Sequence, residues 1–115
     1  MENHDDEALR ARFEPLLQKE LDALARASGA TTEDRRPVEL DQQSVGRLSR
    51  MDALQGQAMA AALEARRAGR SRAIAAALAR MNEGEFGYCE DCGEPIALKR
   101  LELDPTVTRC ISCAV

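Results

Sequence analysis

Four cysteines, all within the last 27 residues, constrain this 115-residue chain more than any other feature. Cys89-x-x-Cys92 is followed, after 17 intervening residues, by Cys110-x-x-Cys113. Two such knuckles supply four thiolates to one tetrahedral Zn²⁺. Disulfides, an iron centre and a redox dithiol are the alternatives at this count, but the paired spacing suits zinc in a reducing compartment without any of them. With Cys89, Cys92, Cys110 and Cys113 all acting as metal ligands, no coordination position is left for an activated water, so the expected zinc is structural.

Residues 83–115 carry too few large apolar side chains to hold a core unaided, and metal binding can supply the missing folding free energy. Ile96, Leu98, Leu101, Leu103, Val107 and Ile111 are expected to cluster against Met81 and Phe86. Gly93, just after the first knuckle, suits a left-handed backbone. Asp104-Pro105 is expected to cap and open a short helix leading to Cys110. Tyr88 reads as a packing residue.

The rest of the chain is helical in character. Aromatic residues are 3% of the sequence and Trp is absent, which argues against a β-sandwich or a broad aromatic-lined pocket. Over residues 5–28, Leu9, Phe13, Leu16, Leu17, Leu21 and Leu24 recur at mostly three- and four-residue steps, one apolar stripe. Asp5, Asp6 and Glu7 favour the start of that helix through its dipole. Pro15 predicts a kink or a later start, and Gly29 stands where a C-terminal cap belongs. Residues 30–40 read as a loop. A second helix is expected over 41–82, roughly 60 Å long against roughly 36 Å for the first. The fold class is therefore mainly α: an antiparallel helical hairpin, 1–82, with a tip loop near 29–41, followed by a four-cysteine module, 83–115. A short loop would let the first helix cover the second only to about residue 66.

Charge is unevenly spread. Residues 1–34 hold nine acids and four bases, 44–80 hold seven Arg against Asp52 and Glu64, and 81–115 hold seven acids and three bases, within a total of −4. A basic middle between acidic ends serves internal pairing or offers a basic patch, with Arg66, Arg67, Arg70 and Arg72 as candidate partner contacts. Both readings stay open. No phosphate-loop, dinucleotide or His-Glu-x-x-His pattern is present, and the single histidine, His4, lies in a terminus expected to fray. No enzyme is expected. With no run of 18 apolar residues and no basic-then-apolar start, no membrane association is expected and the expected location is cytoplasmic.

The stretch Gly87-Tyr88-Cys89-Glu90-Asp91-Cys92-Gly93-Glu94-Pro95-Ile96, then Arg100-Leu101, Pro105 and Cys110-Ile111-Ser112-Cys113, resembles the zinc finger of the DksA/TraR family. The resemblance implies a bacterial transcription regulator that binds RNA polymerase at its secondary channel, with the coiled-coil tip directed toward the active centre, often together with the alarmone ppGpp. Full-length members carry an Asp-x-x-Asp-x-Ala tip with Pro-Val between the aspartates. Here Arg36-Pro37-Val38-Glu39-Leu40-Asp41 occupies that stretch: Glu39 matches the second aspartate in charge, Arg36 replaces the first and Asp41 replaces the alanine, so the tip is acidic in a different arrangement, and Glu39 and Asp41 are the expected polymerase-contact residues. Val115 follows the last cysteine by two residues, so the C-terminal helix of longer members is not expected, and responsiveness to ppGpp is not fixed by the sequence. The competing readings are a DNA-binding zinc protein using the Arg-rich helix and a non-catalytic protein–protein adaptor. Overall acidity and few lysines weigh against direct DNA binding. A monomer is expected.

Overall fold

Three helices form: α1 (Asp6–Ala30), α2 (Arg47–Glu83) and α3 (Leu98–Leu103). The computed structural model describes residues 5–31 and 47–114, and of residues 47–49 the backbone alone. Glu39, Asp41 and most of the stretch read as a tip loop lie outside the described residues. α1 and α2 make the expected antiparallel hairpin, and the cysteine knuckles follow it.

Asp5 starts α1. Its Oδ1 accepts hydrogen bonds from the backbone N–H groups of Glu7 (3.0 Å) and Ala8 (3.4 Å), satisfying donors that a first turn otherwise leaves orphaned. The helix runs through Pro15, so the later start does not occur. Pro15 and Ala11 are both exposed, and the carbonyl that proline leaves unbonded can turn to water. Leu9 and Phe13 on one side and Leu17 on the other are buried, which holds both halves in the helix. Leu16, counted in the apolar stripe, is instead 56% exposed. Gly29 does not end the helix either. Thr31 closes it, donating from its backbone N–H (3.2 Å) and its hydroxyl (3.1 Å) to the carbonyl of Ala27.

Contacts divide the chain into two compact units, Met1–Asp22 with Ser71–Val115, and Ala23–Arg70. In the first, the buried side chains are Leu9, Phe13 and Leu17 of α1, Ile74, Ala77 and Met81 of α2, and Phe86, Cys89, Ile96 and Leu101 beyond it. Phe13 meets Phe86 with ring centroids 5.9 Å apart and planes inclined at 54°, an aromatic pair that joins the hairpin to the knuckles. Ile96 and Leu101 are fully buried as expected, but Leu103 (89% exposed) and Ile111 (72% exposed) are not part of that cluster. The short helix also precedes Asp104 rather than following it. Asp104 ends α3, and its Oδ1 accepts from the backbone N–H (3.0 Å) and hydroxyl (2.7 Å) of Thr106, an Asx turn where a helix start was expected.

In the second unit polar contacts cross between the two helices. Ser28 Oγ donates to Glu64 Oε1 at 2.8 Å, and Arg67 donates to Thr31 Oγ1 at 3.0 Å. The end of α1 therefore lies beside Glu64 and Arg67. Within the first unit its start reaches Asn82, whose Oδ1 accepts from Arg10 at 2.8 Å. α1 thus runs against residues 64–82 of α2, the half nearest the cysteines, and not the half before residue 66. The apolar triads of the two helices set this register, which a count of loop residues could not supply.

Candidate metal centre

The first knuckle is a tight backbone hairpin. Cys89 N–H donates to the carbonyl of Glu94 (2.8 Å) and Ile96 N–H to that of Gly87 (2.7 Å), with Tyr88 and Pro95 bridged between them. Gly93 N–H closes the turn on the carbonyl of Cys89 at 2.9 Å. Gly87 (φ 89°) and Gly93 (φ 75°) take the left-handed conformations the turn requires, as expected for Gly93. In the second knuckle, Cys113 N–H and Ala114 N–H both donate to the carbonyl of Cys110, at 3.1 and 3.0 Å.

Three contacts anchor the second knuckle, one to the first knuckle, one to α3 and one to α2. Glu90 N–H donates to the carbonyl of Thr108 at 2.8 Å. Arg100 Nε donates to the carbonyl of Arg109 at 3.0 Å, immediately before Cys110. Arg80, in the last turn of α2, donates to the carbonyl of Thr106 at 3.5 Å. Burial lowers the Arg80 pKa from its ordinary value, and the carboxylates of Glu90 and Glu83 act against that. No motif in the sequence marks Arg80 or Arg100 as a support of the second knuckle. A side chain that donates to a backbone carbonyl leaves no periodic or spacing signal; only the pairing of Arg100 with the buried Leu101 pointed there.

The Sγ atoms of Cys89, Cys92, Cys110 and Cys113 all lie within 4.8 Å of one another, and those of Cys92 and Cys110 are 3.7 Å apart. Thiolates at about 2.3 Å from a tetrahedral Zn²⁺ stand about 3.8 Å from each other. The donor set and its geometry are therefore those of a structural zinc site, with every position taken by protein sulfur. Protons are unevenly held in the cluster. Backbone hydrogen bonds from Cys110 and Cys92 bring the Cys89 thiol down to about 6, whereas hydrogen bonding among the thiols, first with Cys110, pushes Cys113 up to about 12. A dication replaces those shared protons with its own charge.

The four arginines named as a partner patch do not share one environment. Arg66 and Arg72 are exposed, while Arg67 is turned into the seam beside Thr31 and Glu64 and Arg70 is half-buried. Among the described residues no helix is long and apolar enough to cross a membrane.

An antiparallel helical hairpin joined through an aromatic pair to a closed four-thiolate centre defines a zinc-finger protein of the helical-hairpin class. The sequence profile of the prokaryotic dksA/traR C4-type zinc finger matches residues 84–115. The solved structure of transcription factor DksA2 from Pseudomonas aeruginosa is similar at a TM-score of 0.76 and 32% identity, over 95% of this chain and 82% of that one. RNA polymerase-binding transcription factor DksA of Haemophilus influenzae is 48% identical over 40 residues, 35% of this chain and 28% of the relative. Its namesake in Caulobacter vibrioides is 49% identical over 51 residues, 41% of this chain and 36% of the relative. The matched segments thus span about a third or less of those curated relatives. The chain belongs to the DksA/TraR zinc-finger family.

Proposed function

We propose that the chain is a non-catalytic transcription regulator that binds bacterial RNA polymerase. The observation that carries this reading is the likeness to the DksA2 structure, which extends across hairpin and cysteine module together rather than the finger alone. Relatives matched through the finger are themselves named RNA polymerase-binding transcription factors.

In this reading the module of residues 83–115 is a metal-pinned base for the hairpin of residues 1–82. Phe86 and Ile96 pack in the same core as α1 and α2, so a metal held by the knuckles also fixes the helices' roots. The hairpin enters the secondary channel, and Glu39 and Asp41 at the tip face the active centre. Arg66 and Arg72, exposed on α2, offer guanidinium forks to carboxylates on the polymerase. Arg67 serves the hairpin seam and contributes less to the partner. The protein acts as a cytoplasmic monomer.

The test is a binding assay between zinc-loaded chain and purified bacterial RNA polymerase, followed by transcription in vitro from several promoters with and without ppGpp. Saturable binding with altered promoter output is expected, and Glu39→Ala with Asp41→Ala should abolish the output change while leaving binding. No binding at any accessible concentration would contradict the proposal, as would equal promoter effects from wild type and the double variant for the roles given to the tip acids.

A further inference from the structure

Three charged residues adjoin the cysteines in sequence: Glu90 follows Cys89, Asp91 precedes Cys92, and Arg109 precedes Cys110. The fold brings them together. Arg109 Nε stands 3.4 Å from Glu90 Oε1 and 3.1 Å from Asp91 Oδ2, so one guanidinium on the second knuckle meets both carboxylates of the first. It crosses the same gap that the sulfurs of Cys92 and Cys110 span at 3.7 Å.

Arg109 is held at its root as well as at its tip. Its carbonyl accepts from Arg100 Nε at 3.0 Å, and the carbonyl of Thr108 beside it accepts from the Glu90 N–H at 2.8 Å. A side chain that leaves a pinned backbone gives up less freedom when it closes an ion pair. Charge gives a second reason for the contact. Four thiolates on one Zn²⁺ carry a net charge of about −2. Glu90 and Asp91 place carboxylates next to the ligands of such a centre, and like charges at short range oppose one another. Arg109 turns the same carboxylates into an attachment point for the opposite knuckle.

We propose that Arg109 is a positioning residue for the metal centre, a clasp that slows zinc release by holding the Cys110 knuckle to Glu90 and Asp91. Parting of the knuckles requires the clasp to break. All three side chains are about half exposed, so water and salt screen the contact. The clasp therefore governs the rate of release by a small factor and does not decide whether the metal binds. It rests on the four-thiolate site and not on the identity of any macromolecular partner.

Stopped-flow transfer of zinc from the loaded full chain to an excess of chromophoric chelator reads the clasp. Arg109→Gln should release zinc about fivefold faster than wild type, with zinc content unchanged. Arg109→Lys, which keeps the charge, should stay near the wild-type rate. Raising salt from about 0.02 M to about 0.5 M should speed release from wild type several-fold and from Arg109→Gln little. In a chain carrying Glu90→Gln and Asp91→Asn, adding Arg109→Gln should change the rate by less than about twofold, because the arginine has no carboxylates left to hold. A wild-type rate in Arg109→Gln would overturn the proposal. So would an equal acceleration in both backgrounds, which would mean that the arginine acts on the thiolate centre itself and not through the two acids.

Discussion

Cys92 and Cys110 bring their sulfurs to 3.7 Å across the two knuckles, and that approach has consequences for single residues. Cys110→Ser removes a thiolate from the second knuckle, and the zinc content measured after dialysis against a mild chelator should fall from one ion per chain to near none. Acidity should act in the same sense. Backbone hydrogen bonds hold the Cys89 thiol down to about 6, while hydrogen bonding among the thiols pushes Cys113 up to about 12 and Cys92 upward as well, so the cluster as a whole holds protons that a metal must displace. Zinc uptake should therefore release protons, and zinc affinity should fall as pH drops from 8 to 5.5, as a competing chromophoric chelator would report. Affinity constant over that range would contradict the four-thiolate site. The convergence of the four cysteines was legible because their paired spacing marks which side chains can meet. Their supports were not: Arg80, Arg100 and Asp104 act on backbone groups brought near only by folding.

At the scale of the element, α1 was legible from its apolar period and its acidic start, and Asp5 does cap it. Asp5→Ala should cost about 1 kcal/mol, seen as a lower midpoint in urea with an unchanged slope. Phe13 is 1% exposed and sits against Phe86, so Phe13→Ala should cost about 3–5 kcal/mol. Leu16→Ala, on the exposed side of the same helix, should change the midpoint little. Two features of the hairpin escaped the sequence for a shared reason. Its register, and the outward placement of Met51, Leu54, Met59 and Leu63, depend on which faces find each other across the fold. Periodicity says that a helix has an apolar side, not which turn of another helix will cover it. Of the two outcomes expected at Pro15, the later start does not occur, because an exposed proline flanked by buried anchors is tolerated inside a helix.

For the molecule as a whole, the metal centre and the hairpin root share one core, so metal loss should not stay local. Chelation should lower or abolish the cooperative thermal transition seen by circular dichroism, and restored zinc should recover it. A transition indifferent to chelator would separate the two and remove the structural role of the metal. The central claim concerns the partner. Its most direct measurement is site-specific photocrosslinking from position 39 of the zinc-loaded chain to purified bacterial RNA polymerase, with a binding measurement on the same samples. The account predicts a crosslink near the catalytic centre that a known secondary-channel factor competes away. Binding with a crosslink elsewhere on the enzyme would contradict the insertion of the tip, and absence of both binding and crosslink would contradict the assignment of polymerase as the partner.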